Sequence, residues 1–270
     1  MGFGVRQDVN PNADAASKIF QNSSFNRKIS MRDFPALFPV LSPTARRTRL
    51  KQLAALGLLG PAGFFGLIQD ALAKGVAPVV NGVNSLSGSA TVNGHPANIG
   101  TPVKPGDKVS TANDGTAVLV VGKDGFLLRG GTTVTFQEGK NKRGVVDNLL
   151  VATGKVLAVF SKRAEEGLVI EVPHATVGIR GTGCYLEVQE GRTYFCLCYG
   201  EAAINGVGMQ QPKVIKTTHH ESPVWLDDRG GVVTVEKAGF VNHNDAELIM
   251  LEKLNGREPP FVAMGLTGRY

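Results

Sequence analysis

The sequence predicts an all-β body, a short-strand β-solenoid or sandwich-like fold, with one helix near the C-terminus. Three observations predict it. Val-, Thr- and Leu-rich runs of strand length recur closely from residue 86 onward. The chain holds 34 glycines in 270 residues, and they fall between those runs, where tight turns need them. Helical spacing of apolar residues is sustained in this body at residues 244–254.

Taken in order, the first expected strands cover 89–93, 108–111, 116–121, 126–129 and 132–136. Asn113-Asp114-Gly115 and Lys123-Asp124-Gly125 punctuate them as turns, because glycine accepts the positive φ of a tight hairpin. Further strands are expected at 145–151, 155–160, 168–172, 176–179, 184–188, 193–199 and 202–204. The stretch 227–231 reads as a turn before a strand at 232–235. No period is strict enough to be a sequence repeat. The expected helix has Asn244 as N-cap and Leu248, Leu251 and Leu254 along one face, which predicts docking on the body. Asn255-Gly256 stops it, ahead of Pro259-Pro260.

The N-terminal part is organised differently. Residues 1–43 are polar, without sustained periodicity, and read as a disordered leader. Residues 44–73 place Arg46, Arg47, Arg49 and Lys51 before an apolar run from Leu53 to Ile68, and end in Ala71-Leu72-Ala73. A basic cluster, an apolar run and a small-x-small ending make an export signal. Arg46-Arg47-Thr48-Arg49-Leu50-Lys51 resembles a twin-arginine signal, with Arg49 where Phe is usual. The run spans 16 residues and contains Gly57, Gly60, Gly63, Gly66 and Pro61, whereas a membrane span needs roughly 20 apolar residues. Cleavage before Lys74 is therefore favoured over retention as an anchor. Both readings put the body outside the cytoplasm, in the periplasm, with membrane contact only through this segment if it stays uncleaved. Residues 74–85 read as a linker, 86–206 as the main β domain and 207–270 as a C-terminal extension.

Charge narrows the partners. The pI is 9.3 and the net charge +6, but residues 1–73 hold nine basic and four acidic side chains, which leaves the body at +1. The basicity belongs to the export segment, so nucleic acid is not the expected partner.

Three stretches carry a family resemblance: Val92-Asn93-Gly94 leading to Pro105-Gly106-Asp107 and Thr111; Gly115 to Leu119 followed by Asp124-Gly125; and Pro173-His174 through Arg180-Gly181-Thr182. Their order resembles the FecR domain, the periplasmic part of iron-citrate-type signalling regulators, over about residues 86–206. The resemblance implies a β-rich, solenoid-like module that binds an envelope protein or a small ligand and is not an enzyme. The full regulators carry a helical anti-sigma domain before the membrane helix. The 45 residues ahead of Arg46 are too short and polar for one, so the chain reads as a stand-alone exported relative. Gly106-Asp107 and Gly181-Thr182 are expected at turns and kinks, and Arg180 on the surface.

The remaining chemistry lies in the segment from Cys184 to Cys198, which reads as a hairpin. A two-residue turn at Glu190-Gly191 pairs Cys184 with Leu197, and a three-residue turn would instead align Cys184 with Cys196 or Cys198. The two-residue turn is favoured, because it puts Cys184, Phe195 and Leu197 together on the core side, with Glu187 facing out. Cys196 and Cys198 then share the opposite face. Three readings of that pair stay open: inert under another layer, oxidised to a disulfide, or ligands of a metal ion. A metal needs two more ligands, and His219-His220 follow about 20 residues later, with His174 and His243 as further candidates. Copper or zinc fits the softness of a Cys/His set. Enzyme motifs are absent: there is no Gly-x-Ser-x-Gly and no phosphate-cradling loop. The expected function is exported binding or signalling, with a periplasmic metal-binding or redox protein as the alternative.

Overall fold

The computed structural model describes residues 81–138, 146–162 and 167–268. The leader 1–43, the export signal 44–73 and residues 74–80 of the linker 74–85 lie outside the described residues. Fourteen strands join in one sheet, so the body is all-β. They are β1 (Gly82–Ser87), β2 (Ala90–Val92), β3 (His95–Pro96), β4 (Lys108–Thr111), β5 (Thr116–Val121), β6 (Asp124–Leu128) and β7 (Thr133–Glu138). Then follow β8 (Val146–Val159), β9 (Leu168–Val172), β10 (Ala175–Gln189), β11 (Arg192–Gly206), β12 (Lys213–Thr217), β13 (Val224–Asp228) and β14 (Val233–Lys237). Two short helices follow among the described residues, α1 (Asp245–Leu254) and α2 (Pro260–Ala263). No helix among the described residues is long and apolar enough to cross a membrane.

The longest strands differ from the sequence expectation. Segments expected as separate short strands run together into β8, β10 and β11, of 14, 15 and 15 residues. Glycines that read as strand ends are corners inside them. At Gly181 the backbone turns to φ +58, and the register of β10 shifts between Arg180 and Gly183. Gly200 lies at φ +101 in β11, where a Cβ would sit 2.5 Å from Thr182 Cγ2. Only glycine accepts both the dihedral and the contact.

Each corner lets a strand change partners. β10 pairs with β9 before its corner and with β8 after it. β11 pairs with β13 near its start and with β12 past Gly200. The sheet therefore contains two runs that share the three long strands. One is β3-β2-β4-β7-β8-β9-β10-β11-β12, and the other is β1-β5-β6-β8-β10-β11-β13-β14. One face of each run meets in the main core, where Phe126 of the second run packs edge-on against Phe136 of the first, centroids 4.9 Å apart. The opposite face of the second run forms a smaller core under α1 and α2.

The two halves of the first stretch that carries the resemblance, around Asn93 and Asp107, are joined by side-chain hydrogen bonds. Asn93 Nδ2 donates to Asp107 Oδ1 at 2.8 Å, Lys108 N donates to Asn93 Oδ1 at 2.9 Å, and Lys104 N donates to Asp107 Oδ2 at 2.9 Å. Arg180 is exposed, as expected.

The hairpin register follows the expected two-residue turn. Gln189 faces Arg192 and Cys184 faces Leu197. Cys184, Phe195 and Leu197 enter the main core, while Tyr185, Tyr194, Cys196 and Cys198 enter the smaller one. Glu187 corrects the expectation of an outward charge. It points away from the main core but is only 4% exposed, because the C-terminal segment lies over it. Tyr185 Oη and Asn242 Nδ2 each donate to its Oε1 at 2.6 Å.

Helix α1 starts where the sequence places it. Glu247 N donates to Asn244 Oδ1 at 3.0 Å and Asn244 N donates to Glu247 Oε2 at 3.1 Å, a reciprocal cap. Leu248 and Leu251 are fully buried in the smaller core. Asn244→Ala is expected to lower stability by about 1 kcal/mol, measured by denaturant unfolding, because Glu247 N loses its side-chain acceptor while the Asn244 N–H keeps its bond to Glu247. Beyond the stop at Asn255-Gly256, Pro260 opens α2 rather than ending structure, since a first-turn proline gives up no hydrogen bond.

Candidate metal-binding site

Cys196 and Cys198 sit two residues apart on β11, so both sulfurs point into the smaller core. The loop after β12 then returns over them. Glu221 holds this loop closed, accepting from Thr218 N at 2.7 Å, from His219 N at 3.2 Å and from the Thr218 hydroxyl. His220 takes φ +58, and its N–H donates to Cys198 O at 3.0 Å. That left-handed turn lets adjacent histidines reach inward without lying on opposite faces, as they would in a strand.

The two imidazoles then enter different sets. His220 Nδ1 lies 3.7 Å from Cys196 Sγ, and its Nε2 lies 3.3 Å from Asp245 Oδ1. His219 instead places Nε2 2.7 Å from the same Asp245 oxygen. The fourth position beside the cysteines is taken by His243, whose Nε2 is 3.1 Å from His220 Nδ1. His243 Nδ1 lies 2.7 Å from Val241 O, and its ring stacks on Tyr185 with centroids 4.5 Å apart. The ligand atoms of Cys196, Cys198, His220 and His243 lie within 4.8 Å of one another, and those of His219, His220 and Asp245 form a second such group. Every one of these side chains is buried.

Of the residues singled out from sequence, Cys196, Cys198 and His220 converge, while His219 packs against Phe261 and binds Asp245. His174 is remote from this cluster in its contacts and faces Asp228 Oδ2 at 3.2 Å. All three cysteines are free thiols. Asp245 escaped sequence reading, because an acid in the first turn of a helix already has a role toward the helix dipole. The signal for His243 was its place just ahead of the N-cap Asn244, which ties it to the docking of α1.

The electrostatics concentrate charge here. The Cys196 thiol is lowered to about 4 by hydrogen bonding from Cys198, with His220 and His243 adding to the effect against burial. Burial and the neighbouring Cys196 push Cys198 up. Burial also acts to raise Asp245, but hydrogen bonds from His220, His219 and Gly268 outweigh it and hold the carboxyl below its ordinary value. Burial acts to lower His220, and hydrogen bonds to Asp245 and Cys196 reverse that direction. A buried thiolate beside two imidazoles is a cation-binding arrangement.

No family model matches the chain, and no curated protein matches it. Among solved structures it is similar to two of a putative anti-sigma factor from Parabacteroides distasonis ATCC 8503, at 9% and 10% identity. The matches cover 53% and 55% of this chain and 70% and 74% of those chains, each with a TM-score of 0.40.

Proposed function

We propose that the protein is an exported, non-enzymatic module of the FecR type that works by binding an envelope protein or a small ligand outside the cytoplasm. One observation carries the non-enzymatic part. The one cluster of reactive side chains singled out above is sealed: Cys196 and Cys198 are 0% exposed, and His219, His220, His243 and Asp245 are 2–5% exposed beneath the C-terminal segment. Burial of this degree supports an architectural role for the cluster over a catalytic one. The FecR-type stretches supply turns and interlocking hydrogen bonds, as between Asn93 and Asp107, and leave the outward surfaces for recognition.

Export is tested by fractionating cells and sequencing the N-terminus of the recovered protein. The body is expected in the periplasmic fraction beginning at or near Lys74, or membrane-held and uncleaved in the anchored variant of this reading. Replacing the arginine pair (Arg46→Lys with Arg47→Lys) is expected to strand the chain in the cytoplasm. A cytoplasmic wild-type protein, or export indifferent to both arginines, overturns the reading.

A further inference from the structure

The geometry points to one zinc ion bound in a closed tetrahedral site by Cys196 Sγ, Cys198 Sγ, His220 Nδ1 and His243 Nε2, clasping the C-terminal segment onto the sheet. This does not depend on the FecR-type reading. It rests on which ring nitrogens carry protons. Val241 O can only accept, so His243 Nδ1 at 2.7 Å must donate to it, and in the neutral ring Nε2 keeps its lone pair. The Asp245 carboxylate accepts from His220 Nε2 at 3.3 Å, so in the neutral ring His220 Nδ1 keeps its lone pair. These two lone pairs face each other at 3.1 Å. Two acceptors hold that separation only with a positive charge between them.

A shared proton would serve the two nitrogens and, from His220 Nδ1, Cys196 Sγ at 3.7 Å. It gives no reason for both sulfurs to converge on the same point, with all four ligand atoms inside 4.8 Å. A zinc ion does. Bond lengths of about 2.3 Å to sulfur and about 2.0–2.1 Å to nitrogen set tetrahedral edges of about 3.3 Å between nitrogens and about 3.6 Å between nitrogen and sulfur. The corresponding separations here are 3.1 and 3.7 Å.

The groups behind the ligands agree. One histidine is backed by a carboxylate and the other by a backbone carbonyl, the two arrangements that orient metal-bound imidazoles. Two thiolates and two neutral imidazoles bring the four ligands and a divalent ion together to zero net charge, which lowers the cost of burying them. All four positions are protein atoms, so the site is closed and structural rather than catalytic. Mixed sulfur and nitrogen ligands in a tetrahedron favour zinc over divalent copper, which prefers tetragonal geometry.

The ligands come from three places: β11, the loop after β12, and the segment ahead of α1. The ion therefore joins the sheet to its C-terminal cover. Asp245 is the positioning residue, since one oxygen serves both histidines and the other accepts from Gly268 N at 2.8 Å.

The test is metal analysis of the purified full-length chain, followed by chelation and reloading with cobalt(II) under reducing conditions. One zinc per chain is expected, and the cobalt form should show the intense visible bands of a tetrahedral ion with a near-ultraviolet thiolate band. Cys196→Ser and His243→Ala should lose the zinc, whereas His219→Ala should keep it. Asp245→Asn should bind zinc about 10–100-fold more weakly in chelator competition. The wild-type cobalt spectrum decides even where a variant fails to fold. A wild-type chain that neither carries nor takes up zinc or cobalt, a weak octahedral spectrum, stoichiometric copper instead of zinc, or zinc lost from His219→Ala but kept by His243→Ala would each overturn the assignment.

Discussion

Chelating the metal ion is expected to raise amide exchange sharply across residues 239–247, with the main core of β5, β6 and β7 staying protected. A site held at about 1,000 times its dissociation constant contributes about 4 kcal/mol, so local protection there should fall by up to about 1,000-fold. The loss should be graded along the cover. Residues 239–247 depend on the His243 linkage, on Tyr194 Oη donating to Gly239 O at 3.0 Å and on the Arg129 pairing with Glu247 at 2.9 Å. Farther along, Tyr199 Oη donates to Glu252 Oε1 at 2.5 Å, and Arg257 donates to Glu252 and to Lys123 O. Those bonds, with Leu251 and Phe261 in the smaller core, should hold residues 249–263 after the metal has gone. Hydrogen exchange with and without chelator measures this directly. Equal protection in both states would separate the cluster from the docking of the cover.

The second large effect concerns the corner in β11. Gly200→Val is expected to destabilise the fold by on the order of 3–5 kcal/mol, combining backbone strain with a steric clash. At φ +101 a β-branched residue is strained in any surroundings, and the new Cβ would lie 2.5 Å from Thr182 Cγ2 and 3.0 Å from Thr182 Cβ. Both atoms belong to the neighbouring corner of β10, so neither side can withdraw without disturbing the exchange of partners. Gly191→Ala is the matched control. That residue also has positive φ, +73, but nothing lies within 4 Å of its Cβ position. It should cost only about 1–2 kcal/mol, the backbone term alone. Urea unfolding of the two variants compares them. Similar losses in both would mean that the contact at Gly200 relaxes freely, and the corner would not hold the two runs together.

Much of the fold was legible in local sequence. The hairpin register followed from the length of the Glu190-Gly191 turn, because a one-residue slip would send Cys184 and Leu197 to the wrong face. Helix α1 followed from Asn244 and the spacing of its leucines. Strands β5 and β9 fall at the residues expected for them, β5 as a continuous apolar run and β9 by its alternation. The continuity of β8, β10 and β11 was not legible, since a glycine that ends a strand and one that bends it look alike in sequence. Strand β1 lies largely in residues that read as a linker, because Gly82-Val83-Asn84-Ser85 has little alternation and gains its place by pairing with β5. Strand β12 was missed for a related reason: only Ile215 and Thr217 of its five residues are buried.

The site was half legible. Cys-x-Cys on a strand marks a common face, and His219-His220 was the nearest imidazole pair. Which histidine turns toward the sulfurs depends on the left-handed backbone at His220, a conformation that the residue type does not announce. His243 and Asp245 reach the cluster only because α1 docks over it, and no local pattern encodes that distance. Glu187 has the same origin: its face was predictable, but the layer that buries it was not.

X-ray absorption at the zinc edge of the purified, unmodified chain tests the central claim most directly. The account predicts a first shell of two sulfur atoms at about 2.3 Å and two imidazole nitrogens at about 2.0–2.1 Å. A shell of oxygen and nitrogen alone, or no bound zinc, would contradict it and return Cys196 and Cys198 to packing beneath the C-terminal segment.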